Sequence, residues 1–220
     1  MTDRFAPAPE SAVHAFCHAL GGLWHQMGVM LSAAASLSWL ARILDAPEAA
    51  LLAPLGAAVA RPSAVQFLPY LDGERTPHND AAASGAFVGL RGATGRSQIV
   101  QAVLEGVAFA ARDNLAALSA ASGPVAELDL VGGGSRSPLW GQICADVLGI
   151  PVHRVEEGEV GAALGASRLG RLAATGETPA AVCTRPRRLA SFMPRTSVAE
   201  AYDEAYRQWR ALYPALKECP

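Results

Sequence analysis

The spacing of apolar residues along the chain predicts an alternation of strands and helices. Apolar residues three and four positions apart predict helices over residues 31–44, 47–52, 97–121, 139–148, 160–173 and 198–212. Short apolar runs bounded by glycine, proline or polar residues predict strands over residues 66–71, 85–90 and 128–131, and a short strand is predicted over residues 152–155, after Gly149 and Pro151. The predicted order is a hairpin, a helix, an insertion, and then strand, helix, strand and helix.

The hairpin is predicted near the start of the chain, where residues 12–20 and 23–31 flank Gly21 and Gly22. A two-residue glycine turn would place His18 opposite His25. Two imidazoles without a third or fourth ligand do not make a metal site, so we interpret them as solvent-facing strand residues. The third predicted helix, residues 97–121, has Ser97 at its start as the expected N-cap.

Composition narrows the class of protein. The chain has 220 residues, of which 51% are hydrophobic and 17% charged, with a net charge of -2. Such a balance gives no sign of a nucleic-acid or membrane surface. The apolar stretch 27–41 is too short to span a bilayer, and the N-terminus lacks the apolar segment of a secretory signal. Four scattered cysteines without C-x-x-C spacing predict free thiols in a reducing cytoplasm.

No composition shift requires a domain boundary. We therefore expect one domain over residues 1–220, with an extended lead-in at residues 1–11. Residues 174–220 form the expected tail, which carries prolines among basic residues and ends in a helix.

The candidate chemistry begins with three glycines. Gly132, Gly133 and Gly134 follow the predicted strand 128–131 and precede the helix at 139–148. Glycine lets a backbone approach a ligand closely, and free N–H groups near a helix start favour acceptors. The spacing is neither the G-x-G-x-x-G fingerprint nor a P-loop. On these residues alone, nucleotide binding and a simple tight connection remain equally open.

Three further features allow two interpretations each. The polar loop at residues 72–80 is solvated or lines a cleft. Glu105 lies within the apolar stripe of a predicted helix, so it is a general base with a raised pKa or is hydrogen-bonded to a neighbouring loop. We favour the loop partner. Gly161, Gly165 and Gly170 in the 160–173 helix indicate close approach of a ligand or tight helix packing.

Three stretches in this order carry a family resemblance. They are GAFVGLRGATGRSQIVQAVLE at residues 85–105, VGGGSRS at residues 131–137, and EVGAALGASRL at residues 159–169. The first resembles the second signature of the FGGY family of carbohydrate kinases along its length. The second resembles that family's adenosine motif, and the third resembles the glycine-containing helix beside its nucleotide.

The resemblance implies a ribonuclease H-like α/β fold of the actin, hexokinase and Hsp70 ATPase type. It covers the C-terminal domain alone and implies transfer of the γ-phosphate of ATP, with Mg²⁺, to a sugar hydroxyl. The stretch FLPYLDGERTPHND, residues 67–80, favours the pentulose D-xylulose, with product D-xylulose 5-phosphate. The implied nucleotide contacts are Gly132, Gly133, Gly134 and Ser135, with Ser137 and Gly165 nearby. No metal ligand is assigned.

In this family the sugar site, the catalytic aspartate and the phosphate loops belong to segments that would precede Met1, so no catalytic residue is assigned here. The first strand of the domain would precede Met1 as well. Since each buried unpaired backbone group costs about 1–3 kcal/mol, we expect the chain to be unstable alone, to rearrange, or to pair with another chain, for example in a homodimer. The alternatives are a kinase for ribulose, gluconate or glycerol, and a non-catalytic nucleotide-binding or dimerisation remnant.

Overall fold

Three small sheets organise the strands of residues 1–217, the part of the chain that this computed structural model describes. The first is an antiparallel hairpin and the second an antiparallel pair. In the third, the middle strand is parallel to one neighbour and antiparallel to the other. The strands are β1 (His14–Cys17) with β2 (Trp24–Met27), β3 (Gln66–Leu68) with β4 (Ala86–Val88), and β5 (Leu128–Leu130), β6 (Val152–Val155) and β7 (Arg188–Phe192) in the order β5-β6-β7.

Several helices pack against one long central helix, α3. The helices of residues 1–217 are α1 (Ala34–Ile43), α2 (Glu48–Leu52), α3 (Arg96–Ser122), α4 (Pro138–Leu148), α5 (Gly161–Thr175), α6 (Pro179–Val182), α7 (Thr196–Arg210) and α8 (Leu212–Leu216). Short 3₁₀ turns occur at Pro9–Ser11, Ala53–Leu55, Gly133–Arg136 and Gly158–Val160.

Helix α3 is central because it buries residues on two faces. One face packs Phe109 with Ile143 of α4 and Trp209 of α7. The other face packs Val100 and Val103 against α1, α2 and β3. Gly106 allows β3 to lie directly on the helix, since a Cβ there would be 2.2 Å from the carbonyl oxygen of Phe67.

The predicted hairpin exists, but its predicted register is wrong. His25 lies opposite Phe16, and the backbone N–H of His18 donates to the carbonyl of Leu23 at 3.0 Å. The turn therefore has four residues, 19–22, rather than two. The imidazole of His18 favours the longer turn because its Nδ1 accepts the N–H of Leu20 at 3.0 Å.

Two predicted helix starts also shift. Helix α3 begins at Arg96 with Gly95 as its N-cap, where the Gly95 N–H donates to Gln98 Oε1 at 2.9 Å. Ser97 is therefore inside the helix rather than its cap. Helix α1 begins at Ala34 because the preceding residues turn, with the hydroxyl of Ser36 donating to the carbonyl of Ser32 at 2.6 Å.

The segment interpreted as a tail is part of the fold. Strand β7 completes the β5-β6-β7 sheet, and α7 buries Tyr202 and Trp209 in the core. The indole N–H of Trp209 donates to the carbonyl of Phe67 at 2.8 Å, which joins residues 142 positions apart. The last predicted helix is confirmed with shifted bounds, whereas β7, α6 and α8 were not predicted.

The 72–80 loop connects the hairpin to the helical body. The Thr76 hydroxyl accepts the N–H of Val29 and donates to the carbonyl of Ala12, both at 2.9 Å. Asn114 of α3 donates to the Thr76 carbonyl at 2.8 Å, and the Leu31 N–H donates to Glu74 at 3.3 Å. Glu74 and Thr76 are each only 1% exposed, so this part of the loop is not solvated.

None of the helices described in residues 1–217 is long and apolar enough to cross a membrane.

Candidate functional site

The glycine turn leaves β5 and enters α4 through a 3₁₀ turn. Gly132 has φ of 82°, a conformation that favours glycine, and its N–H donates to the carbonyl of Gly158 at 2.9 Å. The 3₁₀ turn Gly133–Arg136 follows, and Ser137 then caps α4 by accepting the Trp140 N–H at 3.3 Å. This geometry holds the turn at the end of the parallel pair β5-β6, where ligands bind in many α/β sheets.

Ser135 stabilises the turn from inside. Its side chain is buried, and its hydroxyl donates to the carbonyl of Gly132 at 2.7 Å. Its backbone N–H donates to the same carbonyl at 3.1 Å. Ser135 does not line the cavity described next, so the structure gives it a positioning role.

A cavity of about 370 Å³ opens beside the turn. Its size lies within the usual range for small-molecule sites. One wall comes from the turn and the start of α4, and the others come from α1, α2 and α3. The lining residues are Ala33, Ala34, Leu37, Leu52, Val103, Leu104, Val107, Leu130, Val131, Gly132, Gly133, Gly134, Ser137 and Trp140. Four predicted site residues, the three glycines and Ser137, therefore lie together.

The absence of side chains at two glycines keeps the wall open. A Cβ on Gly133 would have the Arg136 guanidinium, 3.8 Å away, as its nearest neighbour, and one on Gly134 would lie 3.4 Å from the Trp140 ring. Neither the Gly133 nor the Gly134 N–H donates to a protein acceptor within residues 1–217. The turn therefore offers free backbone donors next to space that a larger residue would fill.

Gly165 lies elsewhere. It is a residue of α5 and lines a second cavity of about 580 Å³, together with Leu169 of the same helix and Cys183. It is not among the residues that line the glycine-turn cavity. Its proposed place near a nucleotide stays a prediction.

The facing walls of the cavity were not predicted from the sequence. Ala33, Ala34 and Leu37 come from the start of α1, and Val103 and Val107 come from α3. Helical spacing marked α3 as a buried helix, but an apolar face gives no sign of whether it contacts protein or ligand. The one local signal was the small-residue run at residues 33–35, which leaves room beside a helix start.

Glu105 is held by protein groups, as we favoured. Its carboxylate accepts the Ser63 N–H at 2.8 Å, the Gln101 side-chain amide at 2.8 Å and the Tyr202 hydroxyl at 2.9 Å. Burial raises the pKa of its carboxyl above the ordinary value, and these three hydrogen bonds oppose that rise. Glu105 does not line the cavity, so the loop-partner interpretation is confirmed.

The arrangement suits a flat, largely apolar ligand group with acceptor atoms at its edge. Apolar side chains cover its faces, and the free N–H groups of Gly133 and Gly134 can donate to it. The purine base of a nucleotide fits this description. Across residues 1–217 no three or more His, Cys, Asp or Glu side chains cluster in a way that could hold a metal ion.

Comparison with known proteins identifies the family of the chain. Residues 1–174 match the model of the FGGY family of carbohydrate kinases, C-terminal domain. The chain belongs to the FGGY family. This FGGY chain is 44% identical over 178 residues to the xylulose kinase of Escherichia coli (strain K12), a match that covers 80% of the chain.

Solved structures resemble it over nearly its whole length. A "xyloylose kinase" from Brucella ovis has a TM-score of 0.93 and 52% identity over 98% of this FGGY chain. The xylulose kinase of Rhodospirillum rubrum has a TM-score of 0.79 and 32% identity over 94% of it. The predicted ribonuclease H-like fold of the actin and hexokinase type, as a C-terminal domain, is thereby confirmed.

The chain spans less than half of the length of each of these relatives. It covers 37% of the Escherichia coli protein and 45% and 42% of the two solved chains.

Proposed function

We propose that this FGGY domain binds the adenosine part of ATP at the glycine turn, as the nucleotide side of a kinase that converts D-xylulose to D-xylulose 5-phosphate. The single observation that carries the proposal is the open cavity beside Gly133 and Gly134, whose N–H groups are free. The names of the relatives support the choice of sugar.

The proposal divides the reaction between this domain and the rest of a kinase. We assign the sugar site and the catalytic base to segments outside these 220 residues, and the relatives, which extend well beyond the matched part, support that division. Phosphoryl transfer depends mainly on positioning and charge stabilisation. The role of this domain is then to hold the nucleoside so that the γ-phosphate reaches the other part of the site.

We expect Mg²⁺ to bind to this domain only together with the nucleotide. The described residues hold no cluster of metal-ligating side chains, and Mg²⁺ commonly binds through substrate phosphates and one or two carboxylates. We therefore expect Mg²⁺ to arrive with ATP, and we assign it no ligand in this chain. A metabolic kinase that uses ATP would work in the cytoplasm.

The test is calorimetric titration of the whole chain with a non-hydrolysable ATP analogue and Mg²⁺. We expect saturable binding that Gly133→Val removes and Gly92→Val preserves, because Gly92 lies in an exposed loop with nothing within 4 Å of a Cβ. A folded chain without saturable binding would contradict the nucleotide site.

A second experiment tests the reaction and the sugar. The chain is mixed with a separately produced N-terminal part of a xylulose kinase, and phosphorylation of D-xylulose, ribulose, gluconate and glycerol is measured. Preference for D-xylulose supports the proposal, and preference for another sugar selects one of the other FGGY activities. Nucleotide binding without any phosphorylation favours the non-catalytic alternative.

The same preparation tests the expected association with a second chain. Light scattering after size-exclusion chromatography gives the mass in solution, and we expect the mass of a homodimer. A monomer that unfolds in one cooperative thermal transition would contradict this expectation.

A further inference from the structure

The glycine-turn cavity has an unbalanced set of polar groups. Of the side chains that line it, those of Ser137 and Trp140 alone carry a polar atom, and the remainder are glycine, alanine, leucine or valine. The Ser137 hydroxyl already accepts the Trp140 N–H to cap α4. The indole N–H of Trp140 has no acceptor in residues 1–217, so the lining includes an unused side-chain donor.

The backbone adds further donors, and three of the carbonyls beside the cavity already accept a hydrogen bond. The N–H groups of Gly133 and Gly134 are free, whereas the carbonyls of Gly132 and Gly134 accept the N–H groups of Ser135 and Ser137, each at 3.1 Å. On the facing wall, the carbonyl of Ala33 accepts the N–H of Ser36 at 3.1 Å. The lining therefore presents donors to a ligand, while these acceptors are already occupied.

Purine bases differ in the hydrogen-bonding partners that they need from such a wall. Adenine carries an amino group at position 6, which needs an acceptor, whereas hypoxanthine and guanine carry an oxygen there, which needs a donor. A site that selects a base strongly does so through a partner that the wrong base leaves unpaired. No carboxylate or amide side chain lines this cavity to accept the adenine amino group.

We propose that this site binds purine nucleotides through apolar contact and free N–H donors and does not select adenine, so that inosine and guanosine triphosphates bind about as well as ATP. This inference rests on the proposed nucleotide site and concerns its base specificity. Apolar walls hold either type of purine, because contact area rather than edge chemistry sets the affinity. The donors would serve the oxygen at position 6 or a ring nitrogen.

The experiment is a set of calorimetric titrations of the whole chain with ATP, ITP, GTP and inorganic triphosphate, each with Mg²⁺. We expect ATP to bind no more than about tenfold more tightly than ITP or GTP, since an apolar pocket discriminates weakly. We expect inorganic triphosphate to bind more weakly than all three, because it has no base. A preference for ATP above that ratio overturns the inference and leaves the nucleotide site standing.

Other outcomes separate the two proposals. If no nucleotide binds to the folded chain, the nucleotide site itself is wrong and the inference fails with it. If inorganic triphosphate binds as tightly as ATP, the base does not occupy the cavity and the inference is overturned. Trp140→Phe locates the base, because it keeps a ring but removes the indole. A fluorescence change caused by ATP and ITP should be lost in this variant, and its persistence would place the base elsewhere.

Discussion

The 72–80 loop and the glycine turn look alike as sequence and differ as structure. Both interrupt apolar runs with polar or glycine-rich residues. In the loop, Thr76 and Glu74 are buried and hydrogen-bonded to the hairpin and to α3. In the turn, the N–H groups of Gly133 and Gly134 stay free beside a cavity.

The loop and the turn differ in whether their polar groups have hydrogen-bond partners within the protein. Most buried polar groups in proteins have a partner, and in the loop the Thr76 hydroxyl and Glu74 Oε1 are paired within the protein, whereas the buried Glu74 Oε2 has no partner within residues 1–217. The free N–H groups of the turn are exposed rather than buried. Leaving them without a protein acceptor therefore costs little folding free energy, and they stay available to a ligand. A functional site is therefore better identified by unused hydrogen-bonding capacity next to open space than by residue type.

The largest expected effect comes from Thr76→Val, which keeps the side-chain shape and removes the hydroxyl. The N–H of Val29 and the carbonyl of Ala12 then lose a partner in a buried place. At roughly 1–3 kcal/mol for each of the two unsatisfied groups, the free energy of unfolding should fall by about 2–6 kcal/mol. Urea denaturation measures this change.

The matched control is Thr184→Val, at an exposed threonine, which should change the unfolding free energy little. Nucleotide affinity of the folded Thr76→Val protein should match that of the wild type. A loss of affinity without a loss of stability would mean that the loop belongs to the site after all.

Glu74 gives the loop a pH dependence that the turn does not share. Burial raises the pKa of its carboxyl from 4.5 to about 7, opposed by hydrogen bonds from the N–H groups of Arg75 and Leu31. Between these two values the unfolded chain releases a proton that the folded chain retains. The free energy of unfolding should therefore fall as pH rises from about 4.5 to 7, by about 2–3 kcal/mol in all.

Glu74→Gln should remove this component. The variant is expected to match the wild type near pH 5 and to be more stable at pH 8, measured by urea denaturation at each pH. Glu105 has a raised pKa too, but it is present in both proteins and cancels in the difference. A difference that does not change with pH would contradict the assignment of the raised pKa to Glu74.

The sequence predicted the fold where local patterns were strong. Helical spacing identified α3, and the short segment after Gly149 and Pro151, residues 152–155, was predicted as a strand with the observed bounds of β6. It did not identify β7, because three of the five residues of that strand are exposed and the apolar signal is weak. That strand exists because β6 offers it an edge, and such pairing depends on residues distant in the chain.

Of the candidate site, only the wall formed by the glycine turn was predictable from the sequence. Gly132, Gly133, Gly134 and Ser137 are local in sequence and share one wall. The opposite walls come from α1 and α3, which precede the turn by many residues and carry only alanine, leucine and valine there. Apolar residues of that kind indicate burial, and tertiary structure alone distinguishes a buried face from a cavity wall.

Gly133→Val tests the turn. In contrast to Thr76→Val, it should reduce nucleotide affinity strongly and change the unfolding free energy little. The nucleotide affinity should fall by more than about tenfold, since valine fills the space beside the free N–H groups. The unfolding free energy should change by less than about 1 kcal/mol, because outside the turn's own backbone only the end of the flexible Arg136 side chain lies within 4 Å of the added Cβ. Calorimetry and urea denaturation on the same preparation measure both changes, with Gly92→Val as the control.

Ser137→Ala should give the smallest effect, and it asks whether the turn also contributes to stability. The Ser137 hydroxyl accepts the Trp140 N–H, and the loss of an N-cap costs about 1 kcal/mol of unfolding free energy. Because apolar contacts dominate the cavity, nucleotide affinity should change by less than about threefold. Thr178→Ala, which removes the cap of α6, is the matched control far from the glycines in sequence. If Ser137→Ala reduced affinity as much as Gly133→Val does, the hydroxyl would be a ligand contact and the two kinds of loop would differ less than their hydrogen bonds indicate.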